Sequence, residues 1–359
     1  MERRRLGRTG LEVSTLGFGC GNVGGLMIRG APAEQERAVA RALELGINYF
    51  DTAPAYGDGE SEQNLGRVLR TLRAPVVVGT KFRIEPADQG RVGEAVAASL
   101  EASLRRLRME QVDLFQLHNL IADGGPPGTV SPGLVLEGVV PALERLRRQG
   151  KIRCLGITAL GETAALHRVI AAGVLDTAQV CYNLLNPSAG VVVPPRFPAQ
   201  DFAGLLSRAR EAAVGVIGIR VLAAGTLSGV ESRHPIAAPS VDPIASGPDY
   251  RADVRRARQL SVLVEEGHAG SLIEAALRFA IANEAVSTVL VGYSSLDHLE
   301  YAARCVEKGP LPGAALRRLA LLWGTFSSPR RGAGTRSSRA AGRRAPPRAG
   351  RSGRGRSSR

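Results

Sequence analysis

The chain has 359 residues, of which 44% are hydrophobic and 22% are charged, an ordinary composition for a globular protein that buries its core without disulfide bonds or metals. No apolar run approaches the ~18 residues of a membrane-spanning helix, and the stretch after Met1 lacks the hydrophobic segment of a signal peptide, so we expect a cytoplasmic protein. The net charge is +14, but residues 327–359 hold eleven arginines and no acidic residue, which leaves +3 for the remainder.

Short β-branched runs alternate with amphipathic helical patterns along the chain. Two helices are predicted at Ala33–Leu45 and Val92–Leu107, each with one apolar face. The pattern Ser271-Leu-Ile-Glu274 indicates the start of a further helix through a capping box. Eight strands are predicted, at Ser14–Cys20, Ile47–Asp51, Val76–Lys81, Val112–His118, Ile152–Thr158, Thr177–Asn183, Val214–Arg220 and Ser287–Gly292.

Eight strand–helix units over roughly 290 residues are typical of a (β/α)8 TIM barrel. Runs that are apolar throughout, such as Val76–Lys81, favour parallel strands covered on both faces. A doubly wound open sheet is the alternative, but the glycines of residues 17–21 do not have the G-x-G-x-x-G spacing. Long loops at Asn186–Gln200 and Ala223–Leu260 follow strands, so we expect them at the C-terminal rim as lids or binding segments.

The last predicted segment, residues 327–359, is rich in Arg, Gly, Ser and Pro. Such a composition cannot offset the entropy of ordering, so we expect a disordered tail after a barrel of residues 1–326. The tail is interpreted as a site for nucleic-acid phosphates, as a solvated segment without a role, or as a translated extension. The last two interpretations together are favoured, so nucleic acid is not an expected partner.

Polar side chains end three consecutive predicted strands. Asp51, Lys81 and His118 each close an apolar run, and Tyr56 follows five residues after Asp51. The carboxyl ends of barrel strands meet at one mouth, so these side chains should surround a single opening. A buried charge is costly unless it is paired, and we therefore expect Asp51 and Lys81 to pair across adjacent strands.

This set of side chains suits the reduction of a carbonyl group. Hydride addition leaves an alkoxide that needs a proton, and an ordinary tyrosine, with a pKa of about 10, releases its proton too reluctantly near neutral pH. An ammonium group beside the phenol stabilises the phenolate. Asp51 would keep Lys81 charged, and His118 would donate a hydrogen bond to the carbonyl oxygen.

Other interpretations of these residues are structural. Asp51 and Lys81 form a rim ion pair in that view, while Tyr56 packs its ring and His118 is merely hydrogen-bonded. Three further histidines are interpreted as structural or solvent-facing, namely His167, His234 and His268. No two histidines have metal-ligand spacing and the four cysteines are widely separated, so no metal is predicted.

Several motifs resemble those of the aldo-keto reductase superfamily. The segment GINYFDTAPAYGDGESE at residues 46–62, followed by Leu65-Gly66, is similar to the family signature. Residues 5–14 resemble the N-terminal β-hairpin of bacterial members, and residues 79–81, 112–118 and 150–153 also match. The similarity runs from about residue 4 to about residue 324, which leaves the Arg-rich tail outside.

The resemblance implies a nicotinamide dinucleotide, NADP or NAD, extended across the barrel mouth. Ile219-Arg220 stands where many members stack a tyrosine on the nicotinamide, so Arg220 or its neighbour is expected to take over that packing. His298 and Ala302 stand where the family often carries an Arg for the 2′-phosphate of NADP and an Asn for adenine. This difference weakens the NADP preference, although Arg304 and Lys308 leave it open. The cofactor-binding residues so implied are Asp51, Thr158, Gln179, Arg220, Leu222, Gly225, Leu227, Gly292, Ser294 and His298.

The expected function is the interconversion of an aldehyde, ketone or aldose and its alcohol or oxidised form, with Tyr56 as general acid and base. The expected partner is thus a small carbonyl or sugar substrate, bound by Asn22, Tyr56, His118 and Asn119. The alternative is a dinucleotide-binding redox-sensing or regulatory subunit with slow turnover.

Overall fold

The computed structural model describes residues 1–326, which contain strands and helices in alternation. The strands are β1 (Arg3–Arg5), β2 (Glu12–Ser14), β3 (Leu16–Gly19), β4 (Tyr49–Asp51), β5 (Val77–Phe82), β6 (Val112–Leu117), β7 (Ile152–Thr158), β8 (Thr177–Cys181), β9 (Gly215–Ile219) and β10 (Val286–Gly292).

The helices lie mainly between consecutive strands. They are α1 (Leu26–Arg29), α2 (Pro32–Glu44), α3 (Glu60–Leu72), α4 (Val92–Leu107), α5 (Pro132–Leu134), α6 (Val140–Arg148), α7 (Thr163–Ala171), α8 (Leu205–Glu211), α9 (Tyr250–Gln259), α10 (Val262–Glu265), α11 (Leu272–Ala282), α12 (Leu296–Glu307) and α13 (Gly313–Thr325). Short 3-10 helices occupy Pro86–Arg91 and Ala223–Ser228, and a π-helical turn occupies Val135–Val139.

Strands β3 to β10 form a closed parallel barrel in which each strand pairs with the next and β10 pairs with β3. The predicted TIM barrel is therefore confirmed. The predicted strands are all present, with ends that differ by up to two residues. Strand β4 begins later than predicted because Asn48 is held by the N-terminal segment, where its amide donates to the Glu12 carbonyl at 2.9 Å.

Strands β1 and β2 pair antiparallel as the predicted N-terminal hairpin. Leu6 and Leu11 lie in one buried cluster with Tyr49, Leu114 and other barrel residues. Gly7 has a φ of +51°, and a Cβ atom there would lie 2.2 Å from the Gly215 nitrogen. A side chain at Gly7 would thus push the hairpin away from the N-terminal end of the barrel.

The helices cover the outside of the barrel through their apolar faces. In α4 the predicted face is buried, including Val96 and Leu100. Burying one such side chain contributes about 1.5–3 kcal/mol. Helix α11 begins as predicted at Ser271, whose Oγ accepts a hydrogen bond from the Glu274 amide at 3.0 Å. Among the described residues, no helix is long and apolar enough to span a membrane.

The two long loops lie at the C-terminal rim, after β8 and after β9. The second contains α9 near its end. It crosses to the loop after β3, since the Ala238 amide donates to the Val23 carbonyl at 3.2 Å and Arg233 bonds the same oxygen at 3.2 Å. The loop therefore spans one side of the mouth. The predicted tail, residues 327–359, lies outside the described residues.

Candidate active site

An ion pair lies at the base of the barrel mouth. Asp51 is the last residue of β4, and Lys81 lies near the end of β5 with its ammonium paired to Asp51 Oδ1. Both side chains are buried, and Lys81 Nζ also donates to the Thr52 carbonyl at 2.8 Å. Burial alone lowers the pKa of Lys81, but the charge of Asp51 and the Tyr56 phenol outweigh it and raise that pKa. Lys81 therefore stays protonated, and the predicted pairing is confirmed.

The second oxygen of Asp51 is also fully engaged. Gln179 Nε2 donates to Oδ2 at 2.7 Å and the Tyr49 hydroxyl donates to it at 3.0 Å. Burial, followed by the charge of Asp51, raises the pKa of Tyr49 well above its ordinary value, so this phenol remains a hydrogen-bond donor. The carboxylate is thus fixed from two further positions in the barrel. Tyr49 has no functional signal in the sequence, because it resembles any apolar residue of a buried strand.

Tyr56 lies in the loop after β4, with its hydroxyl 3.2 Å from Lys81 Nζ. Asn22 holds this loop from the opposite side, because its Nδ2 donates to the Ala55 carbonyl at 3.4 Å and its Oδ1 accepts from the Gly57 amide at 3.0 Å. Asn22 was expected to contact substrate, and the structure shows it bracing the segment that presents Tyr56.

His118 directly follows β6, and its backbone amide donates to the Phe82 carbonyl at 2.8 Å. Its ring meets the ring of Tyr56 edge-on, with centroids 6.0 Å apart. Burial, with smaller effects from the charges of Lys81 and Arg83, lowers the pKa of His118 to about 3. The imidazole is neutral at physiological pH and so carries one N–H donor.

A cleft of about 1100 Å³ opens above these residues. Leu227 does not line it, since this side chain is fully buried in the hydrophobic core. Lys81 lies beneath the cleft floor. The predicted site residues that do line the cleft are Asn22, Asp51, Tyr56, His118, Asn119, Thr158, Gln179, Arg220, Leu222, Gly225, Gly292, Ser294 and His298.

Thr158 ends β7 inside this cleft. Its side chain is 2% exposed, yet its Oγ1 has no hydrogen-bond partner in the described structure. A buried polar atom without a partner costs about 1–3 kcal/mol, so Thr158 is suited to a polar ligand group. Gln179, which pairs with Thr158 between β7 and β8, directs its amide nitrogen to Asp51.

The amide of Asn119 is already occupied. Its Nδ2 donates to the carbonyls of Ile84 at 2.9 Å and Gly128 at 2.7 Å, and its Oδ1 accepts from the Ile84 amide at 2.9 Å. Asn119 was expected to contact substrate, but these bonds favour a role in holding two rim loops together.

The far end of the cleft is formed by β10 and the start of α12. Ser294 Oγ donates to the Gly24 carbonyl at 2.7 Å, and the rings of His298 and His234 meet edge-on at 5.5 Å. Arg304 and Lys308, the two cations that left an NADP preference open, do not line the cleft. Arg304 pairs with Glu300 at 3.8 Å, and Lys308 pairs with Glu274 at 2.6 Å.

Known proteins are similar to this chain in both sequence and fold. The sequence profile of the aldo/keto reductase family matches residues 15–322. L-galactose dehydrogenase of Arabidopsis thaliana is 32% identical over 84% of this chain and 86% of its own length. D-threo-aldose 1-dehydrogenase of a Pseudomonas species is 29% identical over 84% of this chain and 92% of its own length.

Solved structures give the same result. The holo form of an aldo-keto reductase from Bacillus halodurans aligns with a TM-score of 0.66 and 26% identity, covering 90% of this chain and 96% of that one. The apo form of the same enzyme aligns with a TM-score of 0.63. The chain therefore belongs to the aldo/keto reductase family of oxidoreductases.

Proposed function

We propose that this chain is an NAD(P)-dependent enzyme that interconverts a carbonyl compound and its alcohol or oxidised form, with Tyr56 as general acid and base. The contact of 3.2 Å between the Tyr56 hydroxyl and Lys81 Nζ carries the proposal. It joins a proton donor to a buried, charge-compensated cation at the floor of a large cleft.

Tyr56 exchanges the proton of the reaction. In reduction its hydroxyl donates to the carbonyl oxygen as negative charge develops there, and in oxidation the phenolate takes the proton back. The ammonium of Lys81 stabilises the phenolate at close range, and Asp51 keeps that ammonium in place. Because the pair is buried, water screens its field only weakly.

His118 orients the carbonyl group. Its pKa of about 3 leaves the imidazole neutral, so it donates a hydrogen bond to the carbonyl oxygen and does not compete with Tyr56 as the acid. Its edge-on contact with the Tyr56 ring supports a common target for the two polar groups.

The cleft residues fit a nicotinamide dinucleotide. The unpartnered Thr158 Oγ1 offers a hydrogen bond to a polar group on the ring, and Leu222, Gly225, Gly292 and Ser294 continue the binding surface toward α12. When bound, this cofactor supplies the hydride in reduction and accepts it in oxidation. Arg220 lines the cleft on the side where the cofactor ring is expected.

Small carbonyl compounds and sugars are the substrates to test first, since two similar proteins are named for oxidation of a galactose and of an aldose. Purified protein would be assayed for NAD(P)H consumption and NAD(P)+ reduction with aldehydes, ketones and aldoses. We expect Tyr56→Phe to lose turnover by about 10²–10⁴-fold while it still binds the dinucleotide.

Tyr182→Phe is the matched control, because it also removes a phenol hydroxyl, but from a buried tyrosine that does not line the cleft. It should retain the parent rate. Equal turnover by Tyr56→Phe and the parent would refute the assignment of Tyr56, and an absence of dinucleotide binding by the parent would refute the proposed function.

A further inference from the structure

Arg83 lies at the barrel mouth beside the proposed reaction centre. It is the residue after β5, and its neighbour Phe82 accepts the His118 backbone hydrogen bond, so Arg83 and His118 are adjacent at the rim. Arg83 lines the cleft and is solvent-exposed. Its charge is one of the influences that keep His118 neutral. Arg83 is therefore accessible to a molecule bound at His118.

The guanidinium of Arg83 makes no polar side-chain contact within residues 1–326. Within residues 1–326 it has neither a carboxylate partner nor a side-chain hydrogen bond, whereas Arg91, on the same connection, pairs with Asp88 at 2.8 Å. Glu85 also lines the cleft, but it forms no ion pair with Arg83 in the described structure. Arg83 thus presents up to five donors to the cleft.

The charges around the mouth favour an anion. Arg83, Arg220 and Arg233 line the cleft and Lys81 lies beneath it, whereas Asp51 and Glu85 contribute negative charge and Asp51 is already paired with Lys81. Such a surplus raises the local concentration of anionic substrates. Arg233 is held by the carbonyls of Val23, Ala224 and Ala238. Strands β5 and β9 are four apart in the closed barrel of eight, so Arg83 and Arg220 lie on opposite sides of the mouth.

These two cations have different surroundings. Arg220 is partly buried and donates to the Asp242 carbonyl at 3.3 Å, and we assign it to the cofactor side. Arg83 therefore remains available to bind the substrate, next to His118, which orients the carbonyl group. A guanidinium binds carboxylate or phosphate oxygens through paired, charge-assisted hydrogen bonds.

We propose that the substrate is an anionic carbonyl compound, an oxo acid or a phosphorylated aldose, whose carboxylate or phosphate is bound by Arg83. This inference rests on the proposed function, since it requires the carbonyl to lie at Tyr56 and His118. It adds a specificity residue that neither the motifs nor the strand-end pattern indicates.

Matched substrates test the inference. Succinic semialdehyde is compared with butanal for the carboxylate, and glyceraldehyde 3-phosphate with glyceraldehyde for the phosphate. We expect kcat/KM to be at least about tenfold higher for the anionic member of one pair. Arg83→Gln should remove that advantage by raising KM about ten- to hundredfold for the anionic member alone, without changing kcat.

Three further variants separate charge recognition from a structural effect. Arg83→Lys should retain part of the advantage, and Glu85→Gln should increase it by removing the nearby negative charge. Arg91→Gln, on the same connection but outside the cleft, should leave both substrates unaffected. The KM of the anionic member should also rise with ionic strength, because salt screens an exposed charge pair.

Equal kcat/KM within both pairs, or equal losses for both members in Arg83→Gln, would overturn the inference and leave the proposed function intact. Turnover of none of the four aldehydes would count against the proposed function, and calorimetry with the same compounds would then decide the inference. Binding of an anionic member that Arg83→Gln abolishes would support it, and absence of binding would overturn it.

Discussion

Asp51 and Lys81 form an ion pair beneath the Tyr56 hydroxyl, with both side chains buried. Removing two charges from water is costly, and the pair is sustained by mutual attraction and by hydrogen bonds to the remaining oxygens and protons. Here the Thr52 carbonyl accepts a hydrogen bond from the ammonium, while Gln179 and Tyr49 donate hydrogen bonds to the carboxylate. The barrel thus holds a permanent cation where Tyr56 would develop negative charge.

We expect Lys81→Met to reduce both stability and turnover. Asp51 would remain buried without its cation, which typically costs about 3–5 kcal/mol in the free energy of unfolding. Turnover would fall because the phenolate of Tyr56 loses its stabilising charge. Urea denaturation and steady-state assays measure the two effects.

The double variant Asp51→Asn and Lys81→Met is the control for this prediction. It removes both charges, so it should recover part of the lost stability without recovering turnover. A Lys81→Met protein as stable as the parent would contradict the view that the pair is buried and mutually dependent.

Thr158→Val should separate stability from cofactor binding. The substitution replaces the unpartnered Oγ1 by a methyl group of similar size, so the free energy of unfolding should remain unchanged or increase. Dinucleotide affinity should fall about fivefold if this hydroxyl hydrogen-bonds the cofactor, as one such bond contributes about 1 kcal/mol. Thermal unfolding without ligand and fluorescence titration with NADH would measure these changes.

Thr15→Val provides a comparison, since Thr15 is also buried but does not line the cleft. It should leave dinucleotide affinity unchanged. Undiminished affinity in Thr158→Val would show that Thr158 is not a cofactor contact.

The sequence predicts the barrel and the centre of the site because both depend on strand ends. Asp51, Lys81 and His118 terminate apolar runs, so parallel pairing alone brings them to one mouth. Other residues depend on side-chain direction, which periodicity does not determine. Tyr49 points its hydroxyl inward to Asp51, whereas Asn119 turns its amide to the backbone of neighbouring loops.

Loop contacts were the least predictable feature. His234 and His298 are far apart in the chain and meet only because the loop after β9 folds toward the start of α12. Arg83 carries no sequence signal either, since an arginine after a strand is ordinarily a solvated residue. Its placement in the cleft depends on how the segment after β5 leaves the barrel.

We expect NAD to be preferred over NADP near neutral pH. Burial, and then the nearby His234, lowers the pKa of His298, so it offers no positive charge to the additional phosphate of NADP. His298→Arg places a permanent cation at that end of the cleft and should raise relative kcat/KM for NADP about tenfold or more. Initial rates with both cofactors at fixed substrate provide the measurement.

Arg304→Gln serves as the comparison, because Arg304 does not line the cleft and pairs with Glu300. It should leave the ratio of the two cofactors unchanged. A parent enzyme that prefers NADP, with the preference lost in Arg304→Gln, would show that this exposed cation reaches the cofactor.

The neutral state of His118 predicts a specific dependence of stability on pH. Its pKa is about 3 in the folded protein, against an ordinary value of 6.5. Between these values the unfolded chain binds a proton at His118 that the folded protein does not, so stability is lost as the pH falls from 6.5 toward 3. One such group contributes at most about 1.4 kcal/mol per pH unit.

His118→Gln should therefore reduce the slope of unfolding free energy against pH in this range, measured by urea denaturation from pH 6.5 to pH 4.5. His268→Gln serves as the control for loss of an imidazole outside the cleft; His268 Nε2 lies 3.4 Å from Glu266 Oε2. An unchanged slope in His118→Gln would mean that this imidazole is charged in the folded protein, and Tyr56 would then not be the sole acid facing the carbonyl.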